Sequence, residues 1–319
     1  MGLASYLKLV EIRTKVASFL PFLGGTLYAA YRFGSLDWPN AFLMLGSLLC
    51  LDMATTTLNN YMDYKRARKK SGYGYEVHNA IVRDGLKEGR VIALLTALCV
   101  LSITFGLILL SRSSWPVFAL GALSFLVAAA YSAGPLPLSR TPLGEGFSGF
   151  FMGLVIPLAS VIIHSGHRVF FDLELSGNLA NLSLNWREAL SFLLFFMPMA
   201  AGIANIMLAN NICDREDDRE NGRATIPVLV GIRSSLVLWV ALYAAGFLAV
   251  AAGALAGLLP WWMIFFVLIG LPVWPKIAQF LQQQDKATTF AASVQIFVLQ
   301  ALALCLLAGA GIIFSVQGL

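Results

Sequence analysis

Acidic and basic side chains recur at helical spacing in one polar stretch of the chain, residues 210–225. Asp214 and Asp218 are four residues apart, so on a helix both carboxylates project from one face. Three arginines follow a neighbouring stripe at the same spacing: Arg215, Arg219 and Arg223. Carboxylates beside arginines suit a divalent metal ion together with a polyanion such as a diphosphate. The alternative for this stretch is a solvated, charged helix end that only sets the topology of the chain in a membrane.

An earlier stretch repeats the same polar pattern. The motif Asn-Asn-Tyr-Met-Asp at 59–63 matches Asn-Asn-Ile-Cys-Asp at 210–214 at every polar position, and each motif follows an apolar stretch. The repetition predicts a single domain over residues 1–319, built from two related halves of about 1–140 and 141–319. We expect the two acidic helix ends to face each other across one cavity.

Two further acidic residues fall within or beside apolar stretches. Asp52 lies on the same helical face as Asn59 and about 10 Å deeper in the bilayer, at 1.5 Å per residue. Glu145 enters the apolar stretch that follows a proline-rich loop. An ionisable group inside a membrane is costly and marks a candidate functional site. We therefore expect Asp52 to face a cavity, with an Asp52 paired to a threonine or arginine inside the helix bundle as the alternative. We expect Glu145 to face a partner or a wet cavity rather than lipid.

The composition defines the scaffold that must position these residues. With 58% hydrophobic and 12% charged residues in 319, the chain is not an ordinary soluble domain. The apolar stretches predict an all-α polytopic membrane protein, with about nine transmembrane helices bundled around a central cavity that opens to the cytoplasmic side. The predicted spans are Val16–Phe33, Trp38–Leu58, Val91–Leu110, Trp115–Tyr131, Leu143–His164, Ala189–Ala209, Ser234–Leu258, Trp261–Trp274 and Phe290–Phe314.

The distribution of basic residues predicts the orientation. With a cytoplasmic N-terminus, all but four of the 22 Lys and Arg residues fall on the cytoplasmic side. This pattern indicates a multi-pass plasma-membrane protein whose C-terminus lies outside. It also accounts for the net charge of +5, so no nucleic-acid partner is needed. The patterns do not determine an oligomeric state.

Several loops bring polar residues to the same membrane face as the two motifs: Lys65 and Arg83 in the loop 65–90, and Tyr131 and Arg140 around the proline-rich loop. Gly72 and Gly74 in the first loop favour a lid or a phosphate cradle. Three glycines in the fifth span predict close helix packing: Gly146, Gly149 and Gly153. Residues 164–187 are predicted to form the one sizeable outer loop. The last three spans carry almost no ionisable residues, which predicts that they serve as scaffold.

The convergence of charge at one end of an apolar cavity suits a prenyl diphosphate. A metal ion and arginines would neutralise the leaving diphosphate, so that the allylic C–O bond ionises beside an acceptor. The apolar interior would hold the hydrocarbon chain. A cation-coupled secondary transporter with paired repeats is the alternative from a different class.

Both motifs resemble those of the UbiA-type intramembrane prenyltransferases. The first motif of that family, Asn-Asp-x-x-Asp-x-x-x-Asp, aligns with residues 59–67, where Asn60 and Ala67 replace two acids. The second, Asp-x-x-x-Asp, matches at Asp214 and Asp218. The run from Asn210 to Thr225 and the loop from Tyr131 to Glu145 are similar to the 1,4-dihydroxy-2-naphthoate prenyltransferase branch of menaquinone biosynthesis.

The resemblance implies transfer of a polyprenyl group from polyprenyl diphosphate to 1,4-dihydroxy-2-naphthoate, with loss of CO₂ and diphosphate, giving demethylmenaquinol. Another acceptor, such as 4-hydroxybenzoate, is the alternative within the family. The implied catalytic residues, which would hold Mg²⁺, are Asp63, Asp214 and Asp218. The candidate substrate-binding residues are Asn59, Asn210, Tyr131, Arg223, Arg83, Arg140, Lys65, Glu145 and Asp52. Arg83 would substitute for the Arg-Pro pair that many members carry after the first motif.

Overall fold

The computed structural model describes residues 3–66, 79–134 and 137–316. Gly72, Gly74 and Ala67, which the sequence analysis singled out, lie outside these residues. Nine long helices of the described residues form one bundle, and we label them α1 to α9 in chain order. They are α1 Val16–Phe33, α2 Trp38–Arg66, α3 Glu88–Leu110, α4 Trp115–Ser132, α5 Gly144–Ser165, α6 Trp186–Cys213, α7 Ile226–Leu255, α8 Trp261–Gln282 and α9 Ala291–Val316.

The bundle confirms the predicted all-α membrane architecture of about nine spans. Eight of the helices in the described residues, α2 to α9, are long and apolar enough to cross a membrane. Helix α1 is the ninth, and it lies among them against α5 and α9. Three spans are not uniform α-helices. Helix α5 contains a π-helical turn at Phe151–Val155, α7 is kinked at Gly231, whose φ of 82° is not helical, and α8 begins as the 3₁₀ segment Trp261–Ile269.

Helices α2 and α6 continue further than the apolar pattern predicted. Helix α2 ends at Arg66 rather than at Leu58, and α6 ends at Cys213 rather than at Ala209. Hydropathy falls where the polar motifs begin, but the helical hydrogen bonds continue because the motif side chains face protein rather than lipid. Both motifs therefore occupy the last turns of their helices, and we call this end of the bundle the motif end.

The outer loop predicted for residues 164–187 contains a β-hairpin, which the all-α prediction did not include. Strand β1, Phe171–Ser176, pairs antiparallel with β2, Leu179–Leu184. Apolar residues lie opposite each other in the register, as in the pair Leu173 and Leu182, while Asp172 lies opposite Ser183. This period of two is typical of a strand with one apolar face.

Helix α6 has the largest buried share of the eight spans, because nearly every face of it meets another helix. An aromatic cluster joins it to α1, where the buried ring of Tyr28 lies 5.0 Å from that of Phe195 and 5.6 Å from that of Phe196. A helix that is apolar all round is expected at the centre of a bundle. This packing sets the position of the second motif at the end of α6.

Helices α5 and α6 approach closely through glycine, as predicted for two of the three positions. A Cβ atom at Gly153 would lie 2.3 Å from the Ala200 Cα atom, and one at Gly149 would lie 2.6 Å from the Ala200 carbonyl oxygen. The prediction for Gly146 was wrong, because a Cβ atom there meets open space. The prediction failed there because glycine spacing does not tell which side of a helix meets its neighbour.

We predict that Gly153→Ala lowers the stability of the bundle by about 1–3 kcal/mol, because the added methyl group overlaps backbone atoms that cannot move aside. The measurement is the midpoint of thermal unfolding in detergent. Gly146→Ala is the matched control, since it adds the same methyl group to the same helix without a contact, and it should be neutral or slightly stabilising. Equal midpoints for the two variants would contradict the packing argument.

Candidate active site

A cavity of about 670 Å³ extends from the motif end into the bundle. Helices α1, α2, α4, α5 and α6 form its wall, together with the segment that precedes α9. Seven of the candidate site residues line it: Asp52, Asn59, Asp63, Tyr131, Asn210, Asp214 and Arg223. The structure thus brings residues from both motifs to one cavity.

Arg223 connects the two motifs through its guanidinium group. One of its terminal nitrogens, Nη2, donates to the Asp63 Oδ1 atom at 2.9 Å, and the other lies 3.5 Å from the Asp218 Oδ1 atom. Asp63 belongs to the first motif and Asp218 to the second, so one cation holds carboxylates that come from different helices. This bridge connects the two motifs directly through one side chain.

Asp214 forms an ion pair with Lys286, a residue that the sequence analysis did not select. Lys286 lies between α8 and α9 and lines the cavity together with Phe290. The reading of the last three spans as scaffold was therefore incomplete, because the segment before α9 reaches the site. The only signal in the sequence was a basic residue in a loop, which is indistinguishable from a charge that sets topology.

Asp218 lies behind the cavity wall and is 3% exposed. Its Oδ2 atom accepts a hydrogen bond of 3.1 Å from the Thr225 hydroxyl. Burial raises the pKa of this carboxyl to about 6, while the nearby Arg223 guanidinium acts in the opposite direction. A desolvated carboxylate of this kind gains from an additional cation.

The donor set of the site fits a divalent cation bound together with a phosphate ligand. Within the described residues, no three acidic, His or Cys side chains converge on one point. Asp63, Asp214 and Asp218 instead pair with Arg223 or Lys286, because neighbouring carboxylates repel each other unless cations lie between them. Mg²⁺ is commonly held by one or two carboxylates and substrate phosphates, and a diphosphate would attract the two basic side chains away from the acids.

Two candidate residues that flank the cavity have other partners. The side chain of Lys65 pairs with Glu88 at 2.6 Å, and that of Arg83 pairs with Asp84 at 2.8 Å. Neither side chain lines the cavity. The sequence placed both residues at the correct end of the bundle, but the direction of each side chain depends on acidic neighbours that the motif alignment did not include.

Glu145 and Arg140 also lie outside the cavity wall, where they support the loops and helices that form it. The buried Glu145 carboxylate accepts a hydrogen bond of 2.8 Å from the amide of Asn211, the neighbour of the motif residue Asn210. The Arg140 carbonyl oxygen accepts from the Ala224 amide at 2.9 Å, directly after Arg223. Of the two expectations for Glu145, a partner or a wet cavity, the structure shows the partner, which is the Asn211 side chain within the bundle.

The first motif has a support that matches the second. The Asn60 amide, which corresponds to Asn211 in the repeat, donates to the Leu9 carbonyl oxygen at 3.0 Å and to the Glu11 carboxylate at 3.3 Å. In addition, the Ser132 hydroxyl donates to the Asn59 side-chain oxygen at 3.2 Å. Each motif is therefore anchored by a glutamate that precedes or begins the neighbouring odd-numbered helix.

We predict that Lys286→Gln increases the apparent affinity for Mg²⁺ in the absence of diphosphate by about two- to fivefold, because the substitution removes a competing cation from Asp214. The measurement is the Mg²⁺ concentration that gives half of the maximal thermal stabilisation. Lys276→Gln is the control, since Lys276 contacts Gln295 on α9 and lies away from the cavity. An unchanged Mg²⁺ response of Lys286→Gln would contradict the competition.

The fold and the cavity together define an integral membrane protein in which charged groups from two helix ends meet at a cavity inside the helix bundle. The family model for the UbiA prenyltransferase family matches residues 18–300. The chain therefore belongs to the UbiA prenyltransferase family. This membership favours the enzymatic interpretation over a cation-coupled transporter.

Individual relatives agree with this assignment. The chain is 30% identical over 267 residues to the 1,4-dihydroxy-2-naphthoate octaprenyltransferase of Bacillus subtilis, covering 83% of this chain and 79% of that protein. Its fold is similar to that of a UbiA homolog from Aeropyrum pernix K1, with a TM-score of 0.64, 21% identity, and coverage of 96% of this chain and 98% of that one. A UbiA homolog from Archaeoglobus fulgidus bound to GPP and Mg²⁺ gives a TM-score of 0.62 and 16% identity, with coverage of 94% and 99%.

Proposed function

We propose that this UbiA-type prenyltransferase transfers a polyprenyl group from polyprenyl diphosphate to 1,4-dihydroxy-2-naphthoate, with loss of CO₂ and diphosphate. The observation that carries the proposal is the pair of ion-pair systems at the motif end, in which Arg223 joins Asp63 to Asp218 and Lys286 holds Asp214. The name of the Bacillus subtilis relative supports the choice of acceptor.

The motif end would bind the diphosphate and a divalent metal ion. The residues that would hold Mg²⁺ are Asp63, Asp214 and Asp218. When bound, the ion would neutralise negative charge on the leaving diphosphate. Arg223 and Lys286 would turn from the carboxylates to the diphosphate oxygens, where a guanidinium can donate two parallel hydrogen bonds. The GPP and Mg²⁺ bound to the Archaeoglobus fulgidus homolog support this ligand class.

Asn59, Asn210 and Tyr131 would complete the diphosphate end. Asn59 and Asn210 line the cavity one helical turn before the motif carboxylates, and the Tyr131 hydroxyl is held by a 3.1 Å hydrogen bond from Ser148. Their polar side chains would orient the ligand without adding charge. The apolar groups deeper in the cavity, among them Ile203, would hold the hydrocarbon chain and exclude water from the allylic cation.

The reaction balances without an oxidant or a reductant. The allylic C–O bond breaks, and its electron pair leaves with the diphosphate. A new C–C bond then forms at the ring carbon that bears the carboxylate. The C–C bond to that carboxylate breaks, CO₂ departs, and the bonding electrons restore the aromatic ring.

We further infer that the two halves of the domain, about 1–140 and 141–319, are related, with the motif end facing the cytoplasm, the N-terminus cytoplasmic and the C-terminus outside. The matched contacts of Asn60 with Glu11 and of Asn211 with Glu145 support the relation between the halves. The distribution of basic residues supports the orientation.

The direct test uses membranes that contain the protein, given 1,4-dihydroxy-2-naphthoate, a polyprenyl diphosphate and Mg²⁺. We expect release of CO₂ and formation of a prenylated naphthoquinol, identified by mass spectrometry. A parallel assay with 4-hydroxybenzoate tests the other acceptor. Product from 4-hydroxybenzoate alone, or no product from the naphthoate with any prenyl donor, would overturn the proposal.

We predict that Asp214→Asn and Asp218→Asn each raise the barrier by about 3 kcal/mol, on the order of 100-fold in turnover, because each removes a charge that the diphosphate–metal complex needs. The measurement is the initial rate with saturating substrates and Mg²⁺. Asp217→Asn is the matched control, since Asp217 is exposed on the same short helix Arg215–Glu220. Near-normal turnover of both test variants would rule out the metal-binding role.

A further inference from the structure

The wall of the cavity has two chemically different parts. Helices α1 and α2, with the turn before α1, contribute a polar part made of Thr14, Ser18, Asp52, Thr55, Thr56 and Asn59. Helices α5 and α6 contribute an apolar part made of Phe147, Phe151, Met152, Ile156, Ile203 and Ile206. A hydrocarbon chain cannot form hydrogen bonds with hydroxyl and carboxylate groups, so binding of the prenyl chain does not explain the polar part of the wall.

Asp52 is the charged centre of the polar part. Its Oδ1 atom accepts a hydrogen bond of 2.6 Å from the Lys15 ammonium, and its Oδ2 atom accepts from the Ser18 hydroxyl. Lys15 is 5% exposed and also donates to the Thr56 hydroxyl at 2.7 Å. The ammonium thus stabilises the charge of the carboxylate from behind, while the Asp52 side chain remains in the cavity wall.

This ion pair is separate from the diphosphate end. Asp52 precedes Asp63 by eleven residues on one continuous helix, which places it about 16 Å away along the axis. Among the described residues that line the cavity, five others are charged. Asp63, Asp214, Arg223 and Lys286 lie at the motif end, and Glu11 is the fifth. An ion pair buried in a bundle costs desolvation energy that apolar packing would avoid.

The charges and hydrogen bonds around Asp52 determine which functional group of a ligand could bind to it. The Lys15 ammonium has its protons directed to the Asp52 carboxylate, the Asp52 carbonyl oxygen and Thr56, so it has none left for a ligand anion. A negative Asp52 repels a carboxylate and accepts a hydrogen bond from a hydroxyl. The hydroxyls of Thr55 and Thr56 already donate to backbone carbonyls, which leaves their oxygens as acceptors too. The wall around Asp52, formed with Thr55 and Thr56, is therefore an acceptor surface for hydroxyl donors.

We propose that Asp52 binds the acceptor aromatic ring by accepting a hydrogen bond from the ring hydroxyl that lies farthest from the ring carboxylate. This inference rests on the proposed function and adds the orientation of the acceptor. For 1,4-dihydroxy-2-naphthoate, the hydroxyl at Asp52 is the one on carbon 4. The carboxylated edge then points toward the basic side chains of the motif end, where the prenyl carbon is transferred.

The test compares 1,4-dihydroxy-2-naphthoate with 1-hydroxy-2-naphthoate, which keeps the carboxylate and lacks only the carbon-4 hydroxyl. The wild-type protein should favour the dihydroxy acceptor in kcat/KM, and Asp52→Asn should lower kcat/KM for that acceptor about 10- to 100-fold, as expected for a lost hydrogen bond to a charged group. The same substitution should leave the monohydroxy acceptor and the KM for polyprenyl diphosphate nearly unchanged.

Glu188→Gln is the matched control, since it breaks another ion pair of α1, that with Arg32 at 2.5 Å, at the opposite end of the bundle and away from the cavity. It should keep the wild-type preference between the two acceptors. Because Asp52→Asn could fail to fold, the preference is also measured on the wild-type protein without turnover. Quenching of tryptophan fluorescence in detergent should show at least about tenfold tighter binding of the dihydroxy compound.

Equal binding of the two naphthoates by the wild-type protein would overturn the inference, as would an Asp52→Asn variant that keeps the wild-type preference. In both cases formation of prenylated naphthoquinol by the wild-type protein would leave the proposed function intact. Absence of product from either naphthoate, with tighter binding of the dihydroxy compound retained, would instead overturn the proposed function and support the acceptor-binding role of Asp52.

Discussion

The site depends on charge balance between acidic and basic side chains at the end of an apolar chamber. Three carboxylates from two helix ends meet there, and their mutual repulsion is offset by Arg223 and Lys286. An unpaired buried charge would be strongly destabilising, so the buried Asp218 in particular needs a nearby cation. Under the proposed function, a metal ion would take the place of these internal cations beside the carboxylates while Arg223 and Lys286 turn to the diphosphate, so that opposite charges would stay adjacent during binding.

The rest of the bundle holds these charges in place. Helix α6 carries the second motif and is the most enclosed span of those described, while the contact of Gly153 with Ala200 brings α5 against it. The anchoring hydrogen bonds of Asn60 and Asn211 fix the rotation of the two motif helices about their axes. Helices thus position Asp63 and Asp214, whereas Lys286 comes from the segment between α8 and α9.

The charged, apolar and hydroxyl-bearing groups of the cavity lie in different parts of its wall. The motif end concentrates charge, the α5 and α6 part of the wall is apolar, and the α1 and α2 part presents hydroxyl groups around Asp52. A transferase of two unlike substrates needs such a division, because each ligand must be desolvated by groups that match it. The proposed acceptor binding would give the Lys15–Asp52 pair a role besides stability.

The order of apolar and polar residues was sufficient to predict the class of fold, about nine spans, and the convergence of two repeated motifs at one end, because hydropathy and helical spacing are local properties. The pattern placed helix ends at Leu58 and Ala209, where polarity rises, although the hydrogen-bonded helices continue to Arg66 and Cys213. Only the folded chain decided the partners: Asp214 with Lys286, Asp52 with Lys15, and Glu145 with Asn211 rather than the cavity. These pairs join residues far apart in the chain, and their geometry depends on how each helix is rotated in the bundle, which no local pattern specifies.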